Sequence, residues 1–329
     1  MGFRIFLGAA FACIALVLAA GGLIVPAHAA GSDISYNEVT RIVMGGPAPQ
    51  PGTYGQGSFD ADFANATQKK SGGGLFAAIK NAMGAMHNGF GSTYYYLNNM
   101  ERDDDLTNQS GTITIPAKQQ TIHLDLANKT YWISTPGPMA QTQPVAPTNP
   151  QPQQSMAPPQ PGTEKLTVSI ATTGLGSKNL GGVDTDGYQV VFKMVASQAT
   201  GSCKNGSFQT TLTEFVSSYP EPSLVWPAPP GMVGKKPPTM TISPSVMAAL
   251  GAGCKPTVTA NVHTGPVAPS GRLVMWSLIT VNMGAQSAPG SSGGGFQTVT
   301  ERGDVKQLGS GDAGLFGPPA GFTQQQPPQ

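Results

Sequence analysis

The sequence predicts a mainly β protein built on an antiparallel sheet, with one or two short helices and a long Pro/Gln-rich insertion. In 119–126 (QQTIHLDL), apolar and polar residues alternate, which is the period of a strand with one buried face. The 43 glycines and 30 prolines cluster between strand-like runs, as loops do in all-β proteins. Charged residues are only 11% of the chain and form no Lys/Arg block, so a nucleic-acid binder is not expected.

Residues 1–29 have the order of a secretory signal peptide. Arg4 precedes an apolar run, Pro26 breaks that run, and Ala27-His28-Ala29 supplies the small residues of a cleavage site. We therefore expect cleavage after Ala29, a periplasmic or secreted protein, and no stable transmembrane segment afterwards. The apolar run is about twenty residues long, so an uncleaved membrane anchor is the alternative.

The N-terminal portion, 30–135, begins with a strand over 34–44, followed by a loop over 45–58. Apolar residues at helical intervals then predict a short amphipathic helix over 75–90. This helix either covers one opening of the sheet or uses Met83 and Met86 to contact a ligand or membrane, since methionine adapts to irregular partners.

Residues 93–135 are expected to form a strand, an acidic turn at 101–105, and short strands over 119–126 and 130–133. Aromatic residues concentrate here, namely Tyr94, Tyr95, Tyr96, Tyr131 and Trp132. They either pack across strands in the sheet core or line a cavity for an apolar ligand, together with Met275 and Trp276.

Residues 136–162 contain nine prolines, six glutamines and no charge, which predicts an extended linker. It separates 30–135 from a C-terminal β portion, 163–322. We favour one sheet with a long insertion over two domains, because the first portion alone offers little core. Residues 323–329 (TQQQPPQ) are expected to form a disordered tail.

The C-terminal portion contains a series of strand-like runs and, over 243–253, a short helix capped by Ser243. The run 272–283 is apolar on both faces, which is typical of a central strand or of one between a core and an apolar cavity. Gly174–Lys178 lacks the phosphate-loop order and is expected to be a hairpin turn. The other predicted strands are 165–172, 187–196, 207–216, 237–242, 256–263 and 295–302.

Cys203 and Cys254 are the two cysteines left after signal cleavage. In an oxidising compartment such a pair predicts a disulfide, and two free buried thiols are the alternative. No histidine or further cysteine lies at ligand spacing near either one, so no metal site is expected.

Four segments, in order, resemble the sheet of secreted bacterial proteins related to the outer-membrane lipoprotein carrier and receptor (LolA/LolB-like) fold. They are TYYYLNNMERDDD (93–105), TIHLDLANKTYWI (121–133), TTGLGSKNLGGVDTDGYQVVF (172–192) and ERGDVKQLGSGDAGLFGPPAGF (301–322). The resemblance implies a half-open antiparallel β-barrel around a helix-plugged apolar interior. It implies no catalytic residues.

No enzymatic constellation emerges from the sequence. His87, His123 and His263 are far apart, and zinc-hydrolase, thiol-redox and serine-hydrolase motifs are absent. The acidic residues of 101–105 and 184–187 suit solvated turns better than calcium sites, because the ligand spacing of a calcium loop is incomplete.

The expected function is therefore non-enzymatic and without a cofactor: binding of a hydrophobic or lipid-like ligand in a concave β-sheet. The alternative is a cell-envelope structural or interaction protein with a filled core and no ligand. The candidate ligand-cavity residues are Tyr94, Tyr96, Tyr131, Trp132, Met275, Trp276, Met83 and Met86.

Overall fold

A computed structural model describes residues 33–43, 48–52, 58–68, 88–135, 161–201, 203, 205–225, 254–284 and 295–327. The predicted signal peptide, nearly all of the helix 75–90 with Met83 and Met86, the linker up to residue 160, the strand 237–242 and the helix 243–253 lie outside these residues. Within them, no helix is long and apolar enough to cross a membrane.

The described part of the chain is mainly β and forms one large sheet that is not closed into a barrel. Its strands are β1 Ile34–Val43, β2 Phe90–Leu97, β3 Met100–Asp105, β4 Ser110–Ile115, β5 Gln120–Asp125, β6 Thr130–Ser134, β7 Gly162–Leu180, β8 Val183–Ser197, β9 Gly206–Pro220, β10 Cys254–His263, β11 Arg272–Gly284, β12 Gly295–Gln307 and β13 Thr323–Gln324. Across the sheet they lie in the order β10-β7-β8-β9-β11-β12-β1-β2-β3-β4-β5-β6-β13.

The pairing of β1 with β12 joins the two portions of the chain. β1 lies between β2 and β12, antiparallel to both, with Val43 opposite Gln297 and Ile34 opposite Gln307. The N-terminal and C-terminal portions therefore belong to a single sheet, which continues from the short meander β2–β6 into the long strands β7–β12.

The sheet departs from the expected antiparallel pattern at both edges. β10 runs parallel to β7, and β13 runs parallel to β6. The direction of an antiparallel neighbour is set by its hairpin, whereas each of these strands returns after a long connection that permits a parallel approach.

Three predicted turns lie inside strands. The acidic residues of 101–105 form β3, and the turn that precedes them is Asn98-Asn99, with φ of 50° and 60°. Asparagine tolerates this left-handed conformation and matches a tight hairpin. The expected acidic turn is therefore wrong, and its side chains point alternately to the two faces of the sheet.

Gly174–Lys178 likewise belongs to β7 and not to a hairpin turn. The register with β8 shifts between Gly174 and Gly176, where Gly176 has a φ of 80°. The glycines there accommodate a β-bulge, and the hairpin turn falls at Gly181-Gly182. Asp184–Gly187 is part of β8 rather than a turn.

A helix that the sequence interpretation missed, α1 (Phe59–Thr67), packs against β1, β2 and β12. Ser58 caps it by accepting a hydrogen bond from the Ala61 amide. The helix lies close to the sheet because Gly91 has no side chain: a Cβ there would meet Thr67 Cγ2 at 2.5 Å.

The described residues form two hydrophobic cores. One is centred on Val39, Ala66, Val299 and Trp276 on the α1 side and extends to Ile34 and Tyr36 on the other side. The other lies between the meander and the segment that follows β12, where Phe316 of the 3₁₀ helix Ser310–Phe316 is buried against β3 and β4.

The predicted disordered tail is wrong for its first residues. Thr323 and Gln324 form β13 beside β6, and the Gln325 amide donates a hydrogen bond of 2.7 Å to the Tyr131 carbonyl oxygen. Backbone carbonyl groups on the outer edge of β6 accept the hydrogen bonds. The polar segment is therefore ordered by backbone pairing rather than by burial.

Cys203 and Cys254 form the predicted disulfide, with Cα atoms 5.2 Å apart, and it ties the start of β10 to the loop after β8. Replacing both with serine opens a loop of 51 residues and is expected to lower the free energy of unfolding by about 4 kcal/mol in the chain-entropy model. Urea denaturation of the oxidised protein, the reduced protein and the double variant measures this. The last two should agree, and a loss under about 1 kcal/mol would contradict the model.

Candidate functional site

Met275 and Trp276, expected to line a ligand cavity, belong to the core. Each is 1% exposed, and Trp276 makes an edge contact with Phe215 at 6.0 Å between ring centroids. β11 lies between β9 and β12, and both side chains pack within the first hydrophobic core, which includes Val39 and Phe215. Their assignment as ligand-contacting residues is not supported by this packing.

Tyr94 and Tyr96 pack with Tyr36 of β1 across the β1–β2 pair. The ring of Tyr36 lies 5.3 Å from that of Tyr94 and 6.2 Å from that of Tyr96. The Tyr96 hydroxyl donates a hydrogen bond of 2.9 Å to Glu101, and burial raises the pKa of all three tyrosines above the ordinary value. The gap beside Tyr96 has a volume of only about 10 Å³, room for roughly one water molecule.

Tyr131 and Trp132 are consecutive in β6 and therefore point to opposite faces. Tyr131 contributes to the second core, whereas Trp132 lies on the other face and stacks with His123, with ring centroids 4.8 Å apart. The described candidates are thus divided between two cores and the opposite face. They do not form one site.

A half-buried charged cluster lies beside the tyrosines. Arg302 of β12 pairs with Glu38 of β1 at 2.8 Å and with Glu221, in the segment after β9, at 3.2 Å. Its guanidinium also lies 4.9 Å from the Tyr36 ring centroid. Burial alone would lower the pKa of Arg302, but Tyr36, Glu221 and Glu38 raise it overall, so the cation is firmly held.

A polar depression of about 290 Å³ lies on the face of the meander that carries Trp132. It is lined by side chains of β3 to β6, among them Asp103, Asp105, Thr112, His123 and Trp132. His123 Nε2 is 2.9 Å from Ser134 Oγ, so the imidazole is held by this hydroxyl and by the Trp132 ring. The alternation of 119–126 places His123 on the polar side of its strand, but in the structure the side chain is half-buried rather than fully solvated.

Asp103 is the most perturbed group of the depression. Burial, followed by the charges of Asp105 and Glu101, raises the pKa of Asp103 to about 6. Its Oδ1 is buried and has no hydrogen-bond partner among the described residues. The depression therefore offers hydrogen-bonding and acidic groups, which suit a polar ligand and not an acyl chain.

Apolar surface of the kind expected to bind a ligand lies instead on one face of β7 to β11. Strand pairing places apolar side chains opposite one another in rows that cross the strands. One row contains Val262, Ile170, Phe192, Thr210, Val281 and Phe296. A second contains Ala260, Val168, Met194 and Phe208, and a third contains Val190, Leu212, Ile279 and Ile42, with a threonine at Thr172 and Thr298.

These three rows, which we call the apolar face, are mostly half-buried. Val262 at the edge is 61% exposed, whereas Thr210 and Val281 in the first row are buried. The apolar face lies opposite α1, because Ile42 and the α1-facing Val39 are three residues apart in β1 and so point to opposite sides. Of the described elements, α1 packs on β1, β2 and β12, and the C-terminal 3₁₀ helix on β3 and β4. Neither covers the apolar face.

Behind the three rows, the other face of these strands is mostly polar. Ser169 lies opposite Lys193, which lies opposite Gln209, and Thr211 lies opposite Thr280. This half of the sheet is therefore amphipathic. The alternation Leu166, Val168, Ile170 in the printed sequence is a signal of the apolar face that period-two patterning can find.

One group of potential metal ligands occurs in the described residues, formed by Glu164, Cys203 and Cys254. Both sulfurs are consumed by the disulfide, so the group does not have the thiolates that a soft metal ion requires. Burial raises the pKa of the neighbouring Glu164 carboxyl.

Comparison with protein-family models, with curated proteins and with solved structures finds no match for this chain. Function is therefore inferred from the geometry of the two faces of the sheet.

Asp103 leads to a pH-dependent prediction. A carboxyl whose folded-state pKa is raised to about 6 binds more protons folded than unfolded, so stability falls as pH rises from about 4 through 6. We expect Asp103→Asn to leave stability unchanged near pH 4 and to raise it by about 1 kcal/mol above pH 7, after allowance for solvent screening. Thermal denaturation across this range is the measurement.

Asp125→Asn is the matched control. Hydrogen bonds from Asn128 lower the pKa of Asp125, so its ionised form is stabilising. The control should lose stability at neutral pH. If Asp103→Asn also lost stability at neutral pH, the prediction would be contradicted, because the ionised Asp103 carboxylate would then be stabilised by its surroundings.

Proposed function

We propose that this protein is a non-enzymatic, secreted or periplasmic protein that binds a hydrophobic, lipid-like ligand on the apolar face. The observation that carries the proposal is a continuous set of aliphatic, methionine and phenylalanine side chains across five neighbouring strands, uncovered by any described helix. Monomeric proteins rarely expose a contiguous apolar patch of this kind without a binding role.

The dimensions of the apolar face suit a long acyl chain. Five strands at about 4.8 Å spacing give a width of roughly 20 Å, and the three rows extend about 14 Å along the strands. Covering roughly 300 Å² of apolar surface corresponds to ~7 kcal/mol at about 25 cal/mol per Å², before the cost of association. No covalent step is involved.

The boundary of the apolar face also fits this role. Beyond Ile279, the same side of the sheet carries Glu214, Ser277 and Thr300, and then the Arg302–Glu38 ion pair. An apolar ligand would therefore remain on β7 to β11 rather than spread to the meander. The likeness of segments 93–105, 121–133, 172–192 and 301–322 to the lipoprotein-carrier sheet supports the same ligand class.

The alternative is an envelope interaction protein with a filled core, whose apolar face contacts another protein. The close packing of Met275 and Trp276 favours this alternative, because no cavity exists at those residues. The two functions differ in whether a single-chain lipid binds to the isolated protein.

Substitutions on the two faces of the sheet test the proposal. We expect Phe192→Glu, and Val262→Glu at an exposed position, to weaken binding of a fluorescent fatty acid by at least about tenfold, because a carboxylate among apolar side chains is desolvated by the ligand. Fluorescence titration is the measurement. Ser169→Glu introduces the same charge on the polar face and should bind as the wild type does.

Thermal denaturation of each variant separates loss of binding from loss of folding. Val262 is 61% exposed, so its replacement should leave the fold intact. Equal affinity in the wild type, Val262→Glu and Ser169→Glu, or no uptake by the wild type, would refute the apolar face as the binding site.

A further inference from the structure

β10 is a long edge strand of the described sheet. It comes first in the strand order and, in the described part of the chain, pairs with β7 alone, whereas the opposite edge strand β13 has only two residues. An edge strand presents backbone N–H and C=O groups that are available to another strand. The two edges therefore differ in length, and only β10 is long enough to pair with a further strand over many residues.

The usual protection of an edge is weak in β10. Lys255 and Pro256 lie at its start, but Thr257–His263 contains no lysine, proline, aspartate or glutamate. All seven of these residues are exposed, with Val258 at 59% and Val262 at 61%. Native edges of this length generally carry charges, bulges or a covering element, so this strand is suited to pairing.

The residue order is self-complementary about Ala260. If two copies of β10 pair antiparallel with Ala260 on the two-fold axis, Val258 of one copy faces Val262 of the other. Thr259 then faces Asn261, and Thr257 faces His263. Directly opposed valines stabilise an antiparallel pair, and no like charges meet. Moving the axis to Thr259 would place Val262 opposite Pro256 and lose both valine pairs.

The same register makes the apolar face continuous between copies. Ala260 and Val262 belong to its rows through Val168 and Ile170 of β7, and directly opposed residues share a face. The valine pairs would therefore join the apolar faces of two protomers into one surface, with the two-fold symmetry of an isologous dimer.

We propose that β10 is a homodimerisation strand, pairing antiparallel with β10 of a second copy in the register centred on Ala260. Because the contact is one strand wide, the dimer is concentration-dependent rather than obligate. Its formation requires no ligand and stands independently of the lipid-binding proposal.

Cysteine crosslinking tests the register. In the chain from Ala30, which lacks Cys13, we expect Ala260→Cys to give a covalent dimer with a short bismaleimide, because Cβ atoms on the axis are about 5 Å apart. Thr257→Cys is the matched control, since its two copies would lie roughly 20 Å apart. It should crosslink roughly tenfold less. Cys203 and Cys254 are joined and do not react with the reagent.

Sedimentation velocity supplies the second measurement. The wild type should be substantially dimeric at about 100 µM, and the double variant Val258→Lys/Val262→Lys should be monomeric because like charges then face each other. Val267→Lys is the control: Val267 is equally exposed, at 60%, but lies beyond β10, so this variant should dimerise as the wild type does.

A monomeric wild type at that concentration would overturn the proposal. Equal crosslinking at positions 257 and 260 would also overturn it, because contact would then be non-specific. So would a double variant that is folded by circular dichroism and still dimeric.

Discussion

The pairing of β1 with β12 is the constraint on which the rest of the structure depends. It brings residues some 260 positions apart into register and converts two β portions into one sheet. Arg302 reinforces the junction through Glu38 and Glu221, and its stacking over Tyr36 links these charges to the aromatic layer. Removing one carboxylate would leave this half-buried cation partly unpaired, so the ion pairs favour the observed register.

The apolar side chains change faces along the sheet. From β12 to β6, α1 and the C-terminal segment cover one face, while Ile34 and Tyr36 of β1 are buried on the other face beside Arg302. From β7 to β11, the three apolar rows are on the face opposite α1, and the side chains behind them are mostly polar. β11 is the transition, because Trp276 is buried on the first side while Ile279 belongs to the apolar face. This reversal explains why a strand that is apolar on both faces occurs where it does.

The sequence predicts the mainly β class because period-two runs depend only on neighbouring residues. It predicts the disulfide because two cysteines remain after the expected signal cleavage. It does not predict strand order, since the β1–β12 pairing and the parallel edges join residues with no local signal. The acidic segment of β3 predicts a turn because MERDDD contains a single apolar side chain, and only its pairing with β2 and β4 shows that it is a strand. α1 was missed because Ser58 and its acidic first turn are preceded by a glycine-rich segment that resembles a loop.

The site residues were harder to predict than the fold. Met275 and Trp276 are large apolar side chains on a strand with two apolar faces. Such a strand is as consistent with a filled core as with a ligand cavity. Period-two alternation marks single strands of the apolar face, such as Leu166, Val168 and Ile170, but only the strand register shows that Ile170, Phe192 and Val262 are neighbours.

Native mass spectrometry of the protein purified from the cells that produce it, with lipid extraction of the same sample, tests the central claim most directly. The account predicts a reproducible additional mass that extracts as an acyl lipid and is lost from the Phe192→Glu variant. A mass equal to that of the polypeptide alone, in a sample that also takes up no added fatty acid, would contradict lipid binding and favour an envelope interaction protein.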